Sequence, residues 1–252
     1  MITDIHSHVL PGVDDGSPTI EMSMQMIRKA VAAGCHNLVC TPHANHPKRS
    51  RNLSKDELQR AFADLCEVAA SENLPIELSL GMEIFMTEDC LSNFTDKFLA
   101  LNASRYYLIE FPFEVSKWQI LESVLALREK HIVPIVAHPE RYYSVQAEPS
   151  IIYKIYQMGA LAQLNAGSVI GYFGREAADA ARCLLNYGLI TAIASDAHDD
   201  RYRTCDMQKC EYFISRNYGS KIMRKLMIDN PRNIVRDETV IFGDYQPLAP
   251  RI

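Results

Sequence analysis

The stretch Ile2-Thr3-Asp4-Ile5-His6-Ser7-His8, followed by Val9-Leu10-Pro11-Gly12-Val13-Asp14-Asp15-Gly16-Ser17, decides how the rest of the chain is read. A short apolar run ends in two histidines two residues apart, a spacing that points both imidazoles to one side of a strand. An acidic pair follows within one turn. Together they outline a metal site, placed where the first strand of an α/β barrel would end.

Strand-like and helix-like stretches alternate from there onward. The strand candidates are Ile2–Ile5, Asn37–Thr41, Ile76–Gly81, Tyr106–Phe111, Val133–Ala137, Leu161–Asn165 and Thr191–Ser195. Most are short, apolar and β-branched or aromatic, as suits strands buried on both faces of a parallel sheet. Ser17-Pro18 reads as a cap and first-turn pair, after which Ile20, Met24, Ile27 and Val31 trace one helical face until Gly34. Ser54 to Ala70, Lys117 to Lys130, Ser150 to Met158 and Arg175 to Tyr187 are similar, and Gln208 to Ile234 reads as two outer helices. Seven βα units predict an α/β fold, a closed or nearly closed barrel, as a single domain over residues 1–252. The tail Gln246 to Ile252 carries no assigned role.

The bulk composition excludes several functions. A net charge of −5 without a run of basic residues argues against a nucleic-acid groove. The 7 cysteines form no Cys-x-x-Cys pair and read as reduced thiols. The chain opens without a signal-peptide pattern and has no stretch of about 18 apolar residues, so a cytoplasmic location without membrane insertion is expected.

Residues able to bind metal recur at the ends of the predicted strands. The first is followed by His6, His8 and an acidic residue of the Asp14-Asp15 pair. Later ends carry His43, Glu83, Glu110, His138, and then Asp196 with His198. Imidazoles and carboxylates without thiolates suit Mn²⁺, Fe²⁺ or Zn²⁺. Nine ligands exceed what one ion can use, so two or three clustered ions are expected, a device suited to phosphoester displacement. Glu110, between Ile109 and Phe111, is costly to bury unless paired or metal-bound. His36, His46 and His131 lack this placement and read as ordinary histidines.

The ordered set resembles the polymerase-and-histidinol-phosphatase superfamily, and within it the manganese-dependent tyrosine phosphatases of bacterial capsule and exopolysaccharide operons. It is carried by residues 4–17, Thr41-Pro42-His43-Ala44-Asn45-His46, Gly81-Met82-Glu83-Ile84 and Leu108-Ile109-Glu110-Phe111-Pro112-Phe113. Val136-Ala137-His138-Pro139-Glu140-Arg141-Tyr142, Ser195-Asp196-Ala197-His198 with Arg203, and Asp229-Asn230-Pro231-Arg232 complete it. The resemblance implies a distorted (βα)₇ barrel with a trinuclear centre. His6, His8, Glu83 and Asp196 would hold one ion, and Glu83 would bridge to a second completed by Glu110 and His138. Asp15, rather than Asp14, would hold a third with His43 and His198. Mn²⁺ is the implied metal, and Arg141 and Arg203 match the arginines that grip the substrate phosphate. One extra residue before the first motif should only lengthen the first strand.

The same resemblance implies a partner, the phosphotyrosine tail of a bacterial tyrosine kinase of polysaccharide assembly. Its mechanism would use a hydroxide bridging two ions, available near neutral pH because metal binding lowers the pKa of water from 15.7 to about 7. No phospho-enzyme would form. Phe113, Tyr142, Tyr143 and Phe173 are candidates for packing on the phosphotyrosine ring, though ordinary packing explains each as well. Cys210 and Arg216 have the spacing of a cysteine-phosphatase loop, but the segment lacks glycine and has a helical pattern. The rival functions are a small-molecule phosphatase such as a histidinol phosphatase, a nuclease module and a non-catalytic scaffold.

Overall fold

A computed structural model describes residues 1–241; the predicted tail lies outside the described residues. Nine parallel strands form two ladders. They are β1 (Ile2–Ser7), β2 (Cys35–Cys40), β3 (His43–Ala44), β4 (Glu77–Leu80), β5 (Glu83–Phe85), β6 (Tyr106–Glu110), β7 (Val133–Ala137), β8 (Leu161–Asn165) and β9 (Ala192–Ala194). One ladder runs β1-β2-β4 and the other β3-β5-β6-β7-β8-β9. The predicted strand Asn37–Thr41 corresponds to β2, and β3 continues it beyond an interruption at Thr41-Pro42, since proline has no N–H for a ladder. β4 and β5 are likewise interrupted at Gly81-Met82, where a Cβ on Gly81 would lie 2.7 Å from the Leu101 side chain. Across the breaks, Gly81 N donates to Cys40 O and Glu83 N to Pro42 O. Joined in this way, the pieces make seven strands in chain order.

The ring meets itself at β1 and β9 without a continuous ladder. A single parallel bridge pairs Ser7 with Ala197, flanked by Asp196 N donating to His6 O and His8 N donating to Ala197 O. Asp4 supplies a further link: its buried Oδ1 accepts from Ser195 N at 3.0 Å and from His6 N at 3.3 Å. A side chain thus replaces a missing backbone acceptor. The β1–β2 register also shifts between Asp4 and Ser7, so that two residues, Ile5 and His6, face one, Val39. Such a bulge re-aims side chains. Ile5 packs in the interior apolar cluster, and its neighbour His6 joins the polar cluster at the mouth.

That interior cluster takes Ile5, Val39, Leu108, Ile135, Leu161 and Ala192 from the strands, plugged from below by Ile234, Val235 and Val240. Outward-facing Leu38, Ile109, Val136, Leu164 and Ile193 lie in the second core, with the helices. The long helices are Ile20–Ala32, Lys55–Ser71, Lys117–Glu129, Ser150–Gln157 and Arg175–Asn186. Capping boxes at Ser54/Glu57 and Ser116/Gln119 start two of them. The first helix is capped by Thr19, not by Ser17-Pro18. Ser17 is occupied in the preceding loop, where its N–H donates to His8 O and its hydroxyl to Thr19 O.

After helix Gln208–Tyr218 the chain breaks at Gly219, and Lys225–Asp229 winds as a wide π-type turn before helix Asn230–Val235. This last part packs against β1 and β9, beneath the barrel as well as outside it. Asn230 fastens it: its Nδ2 donates to Thr191 O and Ile241 O, and its Oδ1 accepts from Ile241 N. The Asp229-Asn230-Pro231-Arg232 motif therefore serves the floor of the fold. No helix among the described residues is long and apolar enough to cross a membrane.

Asp4→Ala orphans two buried N–H groups and is expected to cost about 2–4 kcal/mol of stability. Urea unfolding in the presence of a chelator measures this. Asp4→Asn keeps an acceptor oxygen and is expected to lose less than half as much.

Candidate metal centre

Counting β2–β3 and β4–β5 each as one interrupted strand, every strand end except that of β8 delivers a side chain to one buried cluster. His6 comes from β1 and His8 directly follows it, His43 comes from β3, Glu83 from β5 and Glu110 from the last position of β6. His138 follows β7, and Asp196 and His198 follow β9. Two of these residues sit at positive φ, His138 at 34° and Asp196 at 52°. A residue without glycine's freedom pays strain there, and such strain concentrates at functional sites.

Four groups of donor atoms lie within 4.8 Å of one another: His8, Asp15, His43 and His198; His6, Glu83 and His138; His6, His8 and Asp196; and His43, Glu83 and Glu110. All nine sequence candidates are brought together, while His36, His46 and His131 join none of these groups. The groups share members differently from the implied assignment. His8 meets Asp15, His43 and His198, and His43 also faces Glu83 and Glu110.

Glu83 lies at the centre. Its Oε1 is 2.9 Å from His138 Nε2 and 3.3 Å from His6 Nε2; its Oε2 is 2.9 Å from His43 Nδ1 and 3.3 Å from His8 Nε2. Each oxygen faces a different pair of imidazoles, the disposition of a bridging carboxylate. His43 Nε2, His198 Nε2, Glu83 Oε2 and Glu110 Oε2 are buried without hydrogen-bond partners. Orphaned buried donors and acceptors are rare unless an ion or water completes them. An all-nitrogen-and-oxygen donor set of this kind fits divalent Mn, Fe or Zn.

The other nitrogen of three imidazoles is fixed from outside the cluster. His6 Nδ1 is 2.9 Å from Gln163 Oε1, His8 Nδ1 is 2.7 Å from Asp14 Oδ2, and His198 Nδ1 is 3.1 Å from Asp196 O. Each acceptor leaves Nε2 free for an ion. Asp14 and Asp15 thus divide the work. The Asp14 side chain is fully buried and also accepts from His43 N and Gly16 N. Asp15 stands half-exposed, its Oδ1 3.4 Å from His43 Nε2 and 3.6 Å from His198 Nε2. Gly16 lets this loop close, since a Cβ there would lie 2.3 Å from His8 O. Gln163, Asn165 and the role of Asp14 were missed from sequence. Two amides alternating inside the otherwise apolar Leu161–Asn165 run were the available signal.

Burial and neighbouring charge set the protonation. Burial lifts the Glu110 carboxyl to about 8, with the Glu83 charge adding to it. Burial opposes charge on His43, yet the Glu83 carboxylate prevails and raises it to about 9. Burial holds His138 down to about 4 and His198 to about 3. Asp196 is held well below the usual carboxylate range: burial works against its charge, and Arg203 and His6 overcome it.

Two guanidinium groups border the cluster. Arg203 Nη2 lies 2.6 Å from Asp196 Oδ2 and Arg141 Nη1 lies 3.5 Å from it. Arg141 sits over the rings of Phe113 and Phe173, at 4.6 and 4.5 Å, and Arg203 lies 5.6 Å from the Phe173 ring centre. These two phenylalanines hold arginines. Tyr142 is buried, its hydroxyl donating to Ala137 O and accepting from Phe111 N, so it is a pillar rather than a substrate contact. Tyr143 remains exposed beside Arg141, in a depression of about 310 Å³.

Comparison with known proteins places this geometry. Residues 2–236 match the model of the family described as capsular polysaccharide synthesis, CpsB/CapC. The chain belongs to the CpsB/CapC family. It is 30% identical to the tyrosine-protein phosphatase YwqE of Bacillus subtilis, over 98% of this chain and 97% of that one. It is 30% identical to the tyrosine-protein phosphatase CpsB of Streptococcus pneumoniae, over 94% and 99%. A chain from the crystal structures of these two proteins, described as unique metal-dependent tyrosine phosphatases, superposes with a TM-score of 0.91 at 29% identity, covering 98% of this chain and 100% of its own. In this CpsB/CapC member, the barrel mouth and its nine side chains are the features to which function must be attached.

Asp14→Ala is expected to weaken divalent-metal binding 10- to 100-fold, the usual effect of removing a histidine's outer partner; calorimetric titration reads it. Without metal, stability is expected to peak near pH 6–7. The raised His43 contributes fully below its unfolded value of 6.5 and loses this as pH rises through about 9. Glu110, raised from 4.5 to about 8, lowers stability as pH rises across that interval, against the two depressed histidines below 6.5 and together with His43 above it. The depressed His138 and His198 remove stability as pH falls below 6.5. Thermal unfolding across pH in a chelator checks the shape of this profile.

Proposed function

We propose that this chain is a metal-dependent protein-tyrosine phosphatase acting on the phosphotyrosine tail of a bacterial tyrosine kinase in capsular or extracellular polysaccharide synthesis. The observation that carries the reading is the pair Arg141 and Arg203, converging on Asp196 at the border of a buried cluster of imidazoles and carboxylates. Family membership, and relatives named as tyrosine phosphatases, support the substrate class. A cytoplasmic location goes with such a partner.

Two or three ions, Mn²⁺ in the first place and Fe²⁺ or Zn²⁺ on the same donors, would be held by His6, His8, Asp15, His43, Glu83, Glu110, His138, Asp196 and His198. When bound, they supply Lewis acidity and an attacking water of lowered pKa. The chain's own residues do the rest. Arg141 and Arg203 present planar forks that match phosphate oxygens, and Phe113 and Phe173 hold the Arg141 fork in place. Asp196 aligns both arginines and remains ionised beside them. The tyrosinate leaving group, whose acid has a pKa of about 10, needs little proton assistance.

A cysteine nucleophile is not supported. Cys210 lies buried in helix Gln208–Tyr218, and burial pushes its thiol up, away from the thiolate.

Dialysis against a chelator is expected to abolish hydrolysis of a phosphotyrosine peptide, and Mn²⁺ to restore it. Arg141→Ala and Arg203→Ala are each expected to lower kcat/KM about 10²-fold or more, with Cys210→Ser unaffected. Full activity without metal, or a preference for histidinol phosphate over the peptide, overturns the reading.

A further inference from the structure

Strand β8 ends without a residue in the ligand groups, yet it buries two amides, Gln163 and Asn165, with no exposure. Buried amides are costly unless their polar atoms are partnered. Their partners form a single chain. Asn165 Nδ2 donates to Asp196 Oδ2 at 2.6 Å, Gln163 Nε2 donates to Asn165 Oδ1 at 3.1 Å, and His6 Nδ1 lies 2.9 Å from Gln163 Oε1.

The direction of this chain is fixed at one end. An ionised carboxylate only accepts, so Asn165 must turn its NH₂ to Asp196 and its oxygen to Gln163. Gln163 must then turn its NH₂ to Asn165 and its oxygen to His6. That oxygen has no proton to give, which leaves the His6 proton on Nδ1 and the Nε2 lone pair facing the cluster. Reversing Asn165 would set oxygen against the Asp196 carboxylate and N–H against N–H at Gln163, and reversing Gln163 would set its oxygen against both Asn165 Oδ1 and Leu164 O, to which its Nε2 donates at 3.1 and 2.7 Å. The two ends of the chain meet again across the site, with His6 Nε2 and Asp196 Oδ1 3.4 Å apart.

We propose that Gln163 and Asn165 are positioning residues that convey the orientation of the Asp196 carboxylate to the tautomer of His6, fixing Nε2 as its metal-binding nitrogen. This rests on reading the cluster as a metal centre, and it concerns metal affinity rather than substrate choice. The strand that gives no ligand thereby sets two of them.

In ¹⁵N-labelled, metal-free protein at alkaline pH, His6 is expected to keep its proton on Nδ1; a proton on Nε2 overturns the proposal. This measurement needs no variant, so it decides even if substitutions at Gln163 fail to fold. Gln163→Leu is expected to weaken Mn²⁺ binding 10- to 100-fold by calorimetry. Its kcat should return at high Mn²⁺ while KM for a phosphotyrosine peptide stays unchanged. Gln163→Glu, which again offers His6 an acceptor, is expected to bind Mn²⁺ more tightly than Gln163→Leu. Unchanged Mn²⁺ affinity in Gln163→Leu overturns the proposal. Altered affinity in a protein that hydrolyses no phosphotyrosine overturns the phosphatase reading alone.

Discussion

Four imidazoles from three strand ends of the barrel mouth stand within 3.3 Å of one buried carboxylate, Glu83. The rest of the structure depends on this convergence. Ionisable groups packed this closely in a dry environment are unfavourable unless charges alternate and lone pairs are used. The protein arranges alternation among Glu83, Asp196 and the histidines, and places arginines on the open side. It still leaves several buried ligand atoms unpartnered, which is the energetic signature of a site built to receive cations.

Holding these groups in place requires departures from regular sheet. Plain alternation on β1 would turn Ile5 and His6 to opposite faces, whereas the bulge lets one enter the core and the other the site. The same irregularity leaves β1 and β9 poorly paired, and the Asp4 carboxylate bridges the gap. Left-handed backbone at His138 and Asp196 serves a similar end. Strain and a weak seam are thus concentrated where the ligands are aimed, while the floor is secured separately by Asn230 and the apolar plug of Ile234, Val235 and Val240.

An outer set of partners holds the inner one. Asp14 fixes His8, Gln163 fixes His6, Asn165 and the arginines fix Asp196, and phenylalanine rings hold Arg141. These contacts join segments far apart in the chain, apart from the short reaches of Asp14 to His8 and of Arg203 to Asp196. Of the aromatic residues considered for the substrate ring, Phe113 and Phe173 support an arginine and Tyr142 braces the backbone, while Tyr143 stands exposed beside Arg141.

The sequence by itself determined the alternation of strands and helices, the α/β class and eight of the nine candidate ligands, with Asp14 and Asp15 left as a pair, because each is written locally. Apolar runs of strand length, caps and glycine stops act over a few residues; His6, His138 and Asp196 follow directly on such runs, and His8 and His43 stand close behind. Only the tertiary structure decided how Asp14 and Asp15 differ, that β2 and β4 are interrupted, and that Gln163 and Asn165 serve the site. A carboxylate's direction depends on which loop atoms crowd it, as the His8 carbonyl crowds Gly16. A buried amide acquires meaning only from the partner that satisfies it, and for Gln163 that partner lies on β1, more than half the chain away.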